Sequence, residues 1–121
     1  MAQKCADSGE YDKAADLCRK ALDVDNTAVR AYFLLAQIDE LEGNSNNASD
    51  LLKKVIYLNP AFVAAYLELG ALYERGNDAE RAKKMRTTAI ELLRLLPPDS
   101  LVEPYEGVTA GELLEYLKKV G

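Results

Sequence analysis

The sequence contains no histidine and only two cysteines, Cys5 and Cys18, and these shortages remove several kinds of site. Two cysteines are too few for a disulfide framework, and a zinc site without histidine would need an unusual set of ligands. Free cysteine is usually buried as a small apolar side chain, so both thiols are predicted to be inert core residues. We expect no metal site on this chain.

The sequence also lacks an excess of basic residues and any long apolar run. Lysine and arginine number 15 against 20 aspartate and glutamate residues, which gives a formal net charge of -5. The phosphate backbone of a nucleic acid would be repelled on average, and an anionic membrane surface is an equally poor partner. The N-terminus does not resemble a secretory signal. These features predict a cytoplasmic protein with no nucleic-acid partner and no membrane insertion.

The groups that enzymes use for catalysis are missing as well. The sequence has no Gly-rich phosphate loop, no Ser/His/Asp or Cys/His set and no cluster with metal-ligand spacing. Acid–base and nucleophilic mechanisms need such groups within hydrogen-bond reach of one another. We therefore predict no enzymatic activity for this chain and no catalytic, cofactor-binding or metal-binding residues.

What the sequence does contain is an internal repeat of 34 residues. Apolar residues recur at this step in three sets, which are Ala14, Ala48 and Ala82, then Ala21, Val55 and Ala89, then Leu22, Ile56 and Ile90. The second and third units also align at Tyr32 with Tyr66, Leu35 with Leu69, and Ala36 with Gly70. This period resembles that of the tetratricopeptide repeat, in which each unit is a helix, a turn and a second helix. The prediction is an all-α tetratricopeptide-repeat solenoid of about three helix pairs.

The repeat register divides the chain into units at 1–26, 27–60 and 61–96. Helices are predicted near 1–8, 11–24, 28–42, 45–58, 61–75 and 78–95, with turns at Gly9 and Gly43 inside the first two units. Stepping back 34 residues from Tyr32 falls before Met1, so the first helix is expected to be truncated. Because terminal repeats need a cap, this predicts a fragment of a longer polypeptide, and a naturally short first helix is the alternative.

A different kind of segment follows the repeats. Residues 97–108 contain Pro97, Pro98, Pro104 and Gly107 and are predicted to be an irregular linker. Thr109 and Glu112 have the spacing of a capping box, which predicts a final helix over 109–121. Its apolar stripe would cover the last repeat as a capping helix, or alternatively detach and dock on a partner. The stripe consists of Leu113, Leu114, Leu117 and Val120.

The resemblance to tetratricopeptide stacks implies that the first helix of each unit lines a concave groove for a protein or peptide. The shortened first helix would contribute Gln3, Ala6 and Asp7. The other candidate groove residues are Arg30, Phe33, Leu34, Gln37, Glu40 and Leu41 in the second unit, and Ala64, Leu67, Glu68, Ala71, Glu74 and Arg75 in the third. Such a groove would accept an apolar helix or an extended peptide. The alternative is that Phe33 and Leu67 are core residues, because apolar stripes usually are.

The C-terminal half carries a more specific resemblance. Its segments 55–60, 62–63, 96–99 and 107–113, the last reading Gly-Val-Thr-Ala-Gly-Glu-Leu, together with 5–10 near the start, resemble CheR-type chemotaxis methyltransferases that are fused to tetratricopeptide repeats. Glu106 and Glu112 depart from that family, where we expect an aspartate before the glycine and an arginine near position 112. The resemblance implies a parent enzyme that transfers a methyl group from S-adenosylmethionine to receptor glutamates, in a separate upstream domain.

Two functions therefore stay open at this stage. In the first, the chain is a regulatory interaction domain of such a methyltransferase, and its partners are chemoreceptors, chemosensory signalling proteins or its own methyltransferase domain. In the second, it is a freestanding scaffold or adaptor in another pathway. The cofactor S-adenosylmethionine is expected only in the absent catalytic domain.

Overall fold

A computed structural model of the chain describes the backbone of residues 2–120 and the side chains of residues 10–119. The predicted Gln3, Ala6 and Asp7 groove positions, Cys5 and Val120 have side chains outside the described residues. Over residues 2–120 the chain forms helices and no β-strand, which confirms the predicted all-α helical-repeat fold. The helices are α1 (Ala2–Val24), α2 (Val29–Leu41), α3 (Ser45–Leu58), α4 (Val63–Arg75), α5 (Ala79–Arg94) and α6 (Ala110–Val120).

The helices group into two compact units, Met1–Asn59 and Pro60–Gly121. These two are called the first and the second unit below, and they differ from the three sequence repeats. In the first unit α1 packs on α2 and α2 packs on α3; in the second, α4 packs on α5 and α5 packs on α6. From α2 to α5 the helix limits lie within about two residues of those predicted from the repeat. Over the described part of the chain, no helix combines the length and apolarity needed to cross a membrane.

The start of the chain differs from the prediction. Two helices with a turn at Gly9 were expected, whereas α1 is one continuous helix from Ala2 to Val24. Glycine costs about 1 kcal/mol in a helix interior, but it keeps its backbone N–H and does not block the helix as proline does. The predicted turn at Gly9 is therefore wrong.

The core of the first unit lies where α1 and α2 meet. Ala15 and Cys18 of α1 are buried together with Leu35 and Ile38 of α2. These pairs are three residues apart, which places both members on one face of each helix. Burial raises the pKa of the Cys18 thiol, so the thiolate needed for reactivity is disfavoured. The prediction of a buried cysteine is confirmed for Cys18.

The sequence repeat is reproduced in the hydrogen bonds. The hydroxyl of Tyr32 donates to the carbonyl oxygen of Asn26 at 2.9 Å, and the hydroxyl of Tyr66 donates to that of Pro60 at 2.7 Å. Both tyrosines thus tie the start of a helix to the loop six residues before them. Tyr32 and Tyr66 therefore hold the loops that precede α2 and α4, in addition to packing at repeat positions.

The turns inside the helix pairs repeat in the same way. Gly43 and Asn77, at equivalent positions after α2 and α4, both have positive φ angles, of 85° and 61°. The following N–H groups, of Asn44 and Asp78, donate to the carbonyl oxygens of Asp39 and Tyr73 at 2.7 and 2.8 Å. A left-handed residue is needed here because the chain must reverse directly after the helix.

This turn gives a first prediction about stability. Because alanine in the left-handed region costs about 1–2 kcal/mol and the Asn77 side chain is exposed, Asn77→Ala should lower the free energy of unfolding by about 1 kcal/mol. Asn77→Gly is the matched control. It introduces the residue type found at the equivalent Gly43 and should be neutral or stabilising. Urea unfolding of the three proteins measures this, and equal losses for both variants would contradict it.

The helix pair of the second unit is held together at a small residue. A Cβ atom added to Gly70 of α4 would lie 3.3 Å from the Cβ of Met85 and 3.5 Å from the carbonyl oxygen of Ala82, both in α5. The paired helices therefore approach closely at this position, which a small residue permits. The equivalent residue in the first unit, Ala36, is fully buried.

The segment between α5 and α6 is irregular but well connected. Leu101 and Thr109 form an isolated β-bridge, and the N–H of Val102 donates to the carbonyl oxygen of Val108 at 2.9 Å. The N–H groups of Ala110 and Gly111 donate to the carbonyl oxygens of Ser100 and Pro98 at 2.8 and 2.9 Å. The first turn of α6 is therefore fastened to the first part of the loop, close to the end of α5.

The N-terminus of α6 carries the capping box that the sequence predicts. The N–H of Glu112 donates to Oγ1 of Thr109 at 3.2 Å, and the N–H of Thr109 donates to Oε1 of Glu112 at 3.3 Å. Two N–H groups that would otherwise have no partner in the helix are satisfied reciprocally. The prediction of a helix starting after Thr109 is confirmed.

Candidate functional site

The second unit contains a pocket of about 440 Å³ that is built from all three of its helices and the loop before α6. Residues of α4 and α5 line it together with residues of the loop and α6. The lining residues are Tyr66, Leu67, Gly70, Ala71 and Glu74 of α4, Ala82 and Arg86 of α5, Tyr105 and Val108 of the loop, and Leu113, Tyr116 and Leu117 of α6.

The walls of this pocket are mostly apolar and partly accessible. Leu67 and Leu113 are half-buried, and the Tyr116 side chain is 60% exposed. Burial raises the pKa of Tyr66, whose hydroxyl donates to Pro60, so this ring is a neutral wall element. Pockets of this size with apolar walls and few polar groups are typical ligand sites.

The charged part of the pocket is the ion pair of Glu74 and Arg86. Nη2 of Arg86 lies 3.0 Å from Oε2 of Glu74, with side-chain exposures of 31% and 64%. A pair so open to solvent contributes at most about 1 kcal/mol to stability. Its effect on the site is to place one carboxylate and one guanidinium beside the apolar walls, where they can orient a bound chain.

The predicted groove residues of α4 fall partly in this pocket. Leu67, Ala71 and Glu74 line it. Glu68 is half-buried, Arg75 is exposed, and Ala64 is fully buried, which removes Ala64 from contact with any partner in this state.

The predicted residues of α2 have mixed exposure. Phe33 is only 2% exposed and is a packing residue, as the alternative interpretation of the sequence had it. Gln37 and Glu40 are half-buried, and the exposed members are Arg30, Leu34 and Leu41. The groove as a binding surface stays a prediction.

The other half of the pocket was not predicted. Tyr105, Val108 and Tyr116 were given no functional role from the sequence, and Leu113 and Leu117 were predicted only as the stripe of a capping helix. Two tyrosines could have indicated a site here, because Tyr105 lies in a proline-containing loop and Tyr116 lies beside the apolar stripe. Arg86 gave no such signal, because a lone arginine on a helix usually faces solvent.

Among the residues that the structure describes, no group of three acidic, cysteine or histidine side chains is arranged to hold a metal ion. The pocket therefore offers shape, apolar surface and one ion pair as its means of recognition.

Comparison with known families identifies the repeat. Residues 29–62, which cover α2 and α3 and end just before α4, match the family model of the tetratricopeptide repeat. The chain thus contains a tetratricopeptide repeat within a tetratricopeptide-like helical-repeat fold. No curated protein matches this sequence.

Solved structures with the same fold come from several bacterial proteins. MamA (residue 41 to the end) from Desulfovibrio magneticus RS-1 is 22% identical with a TM-score of 0.66, over 71% of this chain and 49% of that one. The present chain therefore spans about half of that MamA chain. The type III secretion translocator chaperone SycD of Yersinia enterocolitica is 15% identical with a TM-score of 0.68, over 95% and 77%.

A third structure contains a bound partner. PcrH, crystallised with the chaperone-binding region of PopD, is 15% identical with a TM-score of 0.68, over 98% of this chain and 91% of that one. At these identities the likeness concerns the fold. None of these three structures is of a CheR-type protein, so the CheR-type resemblance of residues 107–113 stays a prediction.

Proposed function

We propose that this chain is a protein-interaction module whose second unit binds a segment of a partner polypeptide in the pocket between α4 and α6. The observation that carries the proposal is the pocket itself, with apolar walls from Leu67 and Leu113, an exposed Tyr116 and one ion pair. Interface centres of this kind, rich in tyrosine and poor in charge, supply most of the binding energy in protein complexes.

The fold supports the same proposal. Helical-repeat proteins use the surfaces created by stacked helices to bind other proteins. PcrH, which has this fold, was crystallised with a segment of a second protein. The exposed predicted residues Leu34 and Leu41 of α2 would form a further contact surface on the first unit, and Arg75 would extend the one on the second.

The proposal predicts that two pocket residues anchor the partner. Peptides that bind the full chain are first selected from a displayed random library and measured by fluorescence anisotropy. Leu67→Ala combined with Tyr116→Ala should weaken their binding by about 1–3 kcal/mol, or roughly 5-fold to 150-fold, because both side chains lose contact area. These residues are only partly buried, so the helical circular-dichroism signal should be retained.

Leu95 provides the matched control. It is 81% exposed, belongs to the same unit and does not line the pocket, so Leu95→Ala should leave peptide affinity unchanged. Equal affinity for wild type and the double variant, with both proteins folded, would show that this pocket is not the binding site.

A finer proposal concerns the parent protein. We infer from the Gly107–Leu113 tail and from the upstream segments with the same resemblance that this module regulates a CheR-type chemoreceptor glutamate methyltransferase. Its partners would be chemoreceptors, chemosensory signalling proteins or the methyltransferase domain itself, in the cytoplasm. S-adenosylmethionine would bind only to that catalytic domain.

The second candidate is a freestanding scaffold or adaptor, which the general fold supports equally well. An antibody against this chain separates the two on a blot of the source cells. A product several-fold larger than 13.3 kDa that carries methyltransferase activity supports the finer proposal. A product near 13.3 kDa would reject it and favour the adaptor.

A further inference from the structure

The residues of the loop and α6 that line the pocket belong to a stretch of sequence that carries charge of one sign. Between Arg94 and Lys118 the chain has no lysine or arginine but five acidic residues, which are Asp99, Glu103, Glu106, Glu112 and Glu115. This stretch includes the loop and most of α6. The acidic residues therefore share the segments that supply Tyr105, Val108, Leu113 and Tyr116 to the pocket.

The acidic residues also alternate with the lining residues. Glu106 lies between Tyr105 and Val108, and Glu115 directly precedes Tyr116. Both side chains are exposed. The Oε1 atom of Glu115 is 4.0 Å from Nζ of Lys118, at the limit of an ion pair between exposed groups, and such a pair is weak. These carboxylates are therefore accessible to a cation from outside.

The cation inside the pocket does not balance this charge. Arg86 is paired with Glu74 at 3.0 Å, so these two lining residues largely cancel each other. The loop and α6 carry five acidic residues against Lys118 and Lys119 at the end of α6, so their summed charge is negative. A partner that is cationic next to its apolar anchor would meet complementary charge here, whereas an acidic partner would be repelled.

The size of the pocket limits what the anchor can be. A cavity of about 150 Å³ holds one benzene molecule, so about 440 Å³ has room for one or two aromatic or leucine side chains but not for a whole helix. The apolar walls would hold these side chains, and the exposed carboxylates would hold the charged residues beside them.

We propose that the occupant is a partner segment with one or two aromatic or leucine anchors flanked by lysine or arginine. This inference rests on the proposed function and names the chemistry of the partner. Charge at the rim acts over a Debye length of about 8 Å at physiological salt, so it steers and selects the partner while the anchors supply most of the affinity.

The test uses the full chain and a displayed library of random peptides. Selected peptides are expected to carry leucine or an aromatic residue with lysine or arginine within two or three positions, and to bind more weakly as salt increases. Glu106→Lys with Glu115→Lys should weaken a selected peptide roughly fivefold to tenfold, and replacing its basic residues by glutamate should restore binding to this variant. Glu91→Lys with Glu42→Lys, two exposed changes outside the pocket that shift the net charge by the same amount, is the control for net charge.

The outcomes separate this inference from the proposed function. If the selected peptides lose binding in the Leu67→Ala, Tyr116→Ala variant but show no preference for basic residues, the inference falls and the proposed function stands. If their binding ignores the pocket variant, both fall. If sedimentation shows a dimer of the chain that the same pocket variant dissociates, the occupant is a second copy and the inference is overturned.

Discussion

Deletion of residues 109–121 is expected to lower the free energy of unfolding by about 3–6 kcal/mol, which is a large share of the total stability of a small domain. The deletion removes α6 with Leu117, which is only 5% exposed, and the half-buried Leu113 and Leu114. Each fully buried large apolar side chain contributes about 1.5–3 kcal/mol, and half-buried ones contribute proportionally less. The deletion also removes the buried Ala110 and the β-bridge between Leu101 and Thr109.

Urea unfolding of the full and shortened chains measures this loss. Leu117→Ala is the corresponding point variant and should cost about 2–4 kcal/mol, because it leaves a cavity without shortening the chain. Tyr116→Ala, on the exposed side of the same helix, should cost much less and serves as the control. If the shortened chain unfolded at the same urea concentration, α6 would be a docking element that does not stabilise the unit, which was the alternative interpretation of its sequence.

Gly70→Leu is the second change with a large expected effect, a loss of about 3 kcal/mol or more. Even a single added carbon would lie 3.3 Å from the Cβ of Met85 and 3.5 Å from the backbone oxygen of Ala82. The added Cβ presses on α5, and the rest of the longer side chain must either separate α4 from α5 or fill the pocket that Gly70 lines. Overpacking of this kind typically costs 1–3 kcal/mol and occasionally more.

Gly70→Ala is the matched control for this variant. Its methyl group makes the same tight contact with Met85, but alanine is favoured over glycine in a helix by about 1 kcal/mol, so the two effects should nearly cancel. Ala36 already occupies the equivalent position in the first unit and is fully buried there. A thermal unfolding midpoint for Gly70→Leu close to that of wild type would mean that the helix pair tolerates a wider spacing than the geometry indicates.

The fold was predictable because its determinants are short-range and repeated. The 34-residue step aligns Tyr32 with Tyr66 and Gly43 with Asn77, and the structure gives each pair the same hydrogen bond or the same backbone conformation. A feature that occurs twice in one chain supports its own interpretation. The same step aligns Gly9 with Gly43, yet Gly9 lies inside the continuous helix α1, because a glycine alone does not decide between a turn and a continuous helix.

The pocket was only half predictable. The positions Leu67, Ala71 and Glu74 followed from the family resemblance, because they lie on one face of a first helix. Tyr105 lies in the loop and Tyr116 lies on α6, both outside the 34-residue repeat. No periodic signal therefore places them beside α4. Phe33 was placed on the predicted groove face with a core position as the alternative, and the structure buries it.

The sequence by itself therefore determined helices α2 to α6, the repeat register and the capping box at Thr109, because these depend on side-chain spacing and on hydrogen bonds between residues close in the chain. Only the tertiary structure decided which apolar residues are buried and that α6 and its loop form a pocket with α4. The physical reason is that burial is a property of surfaces brought together from distant positions, here Leu67 and Leu117, and no local pattern specifies that distance.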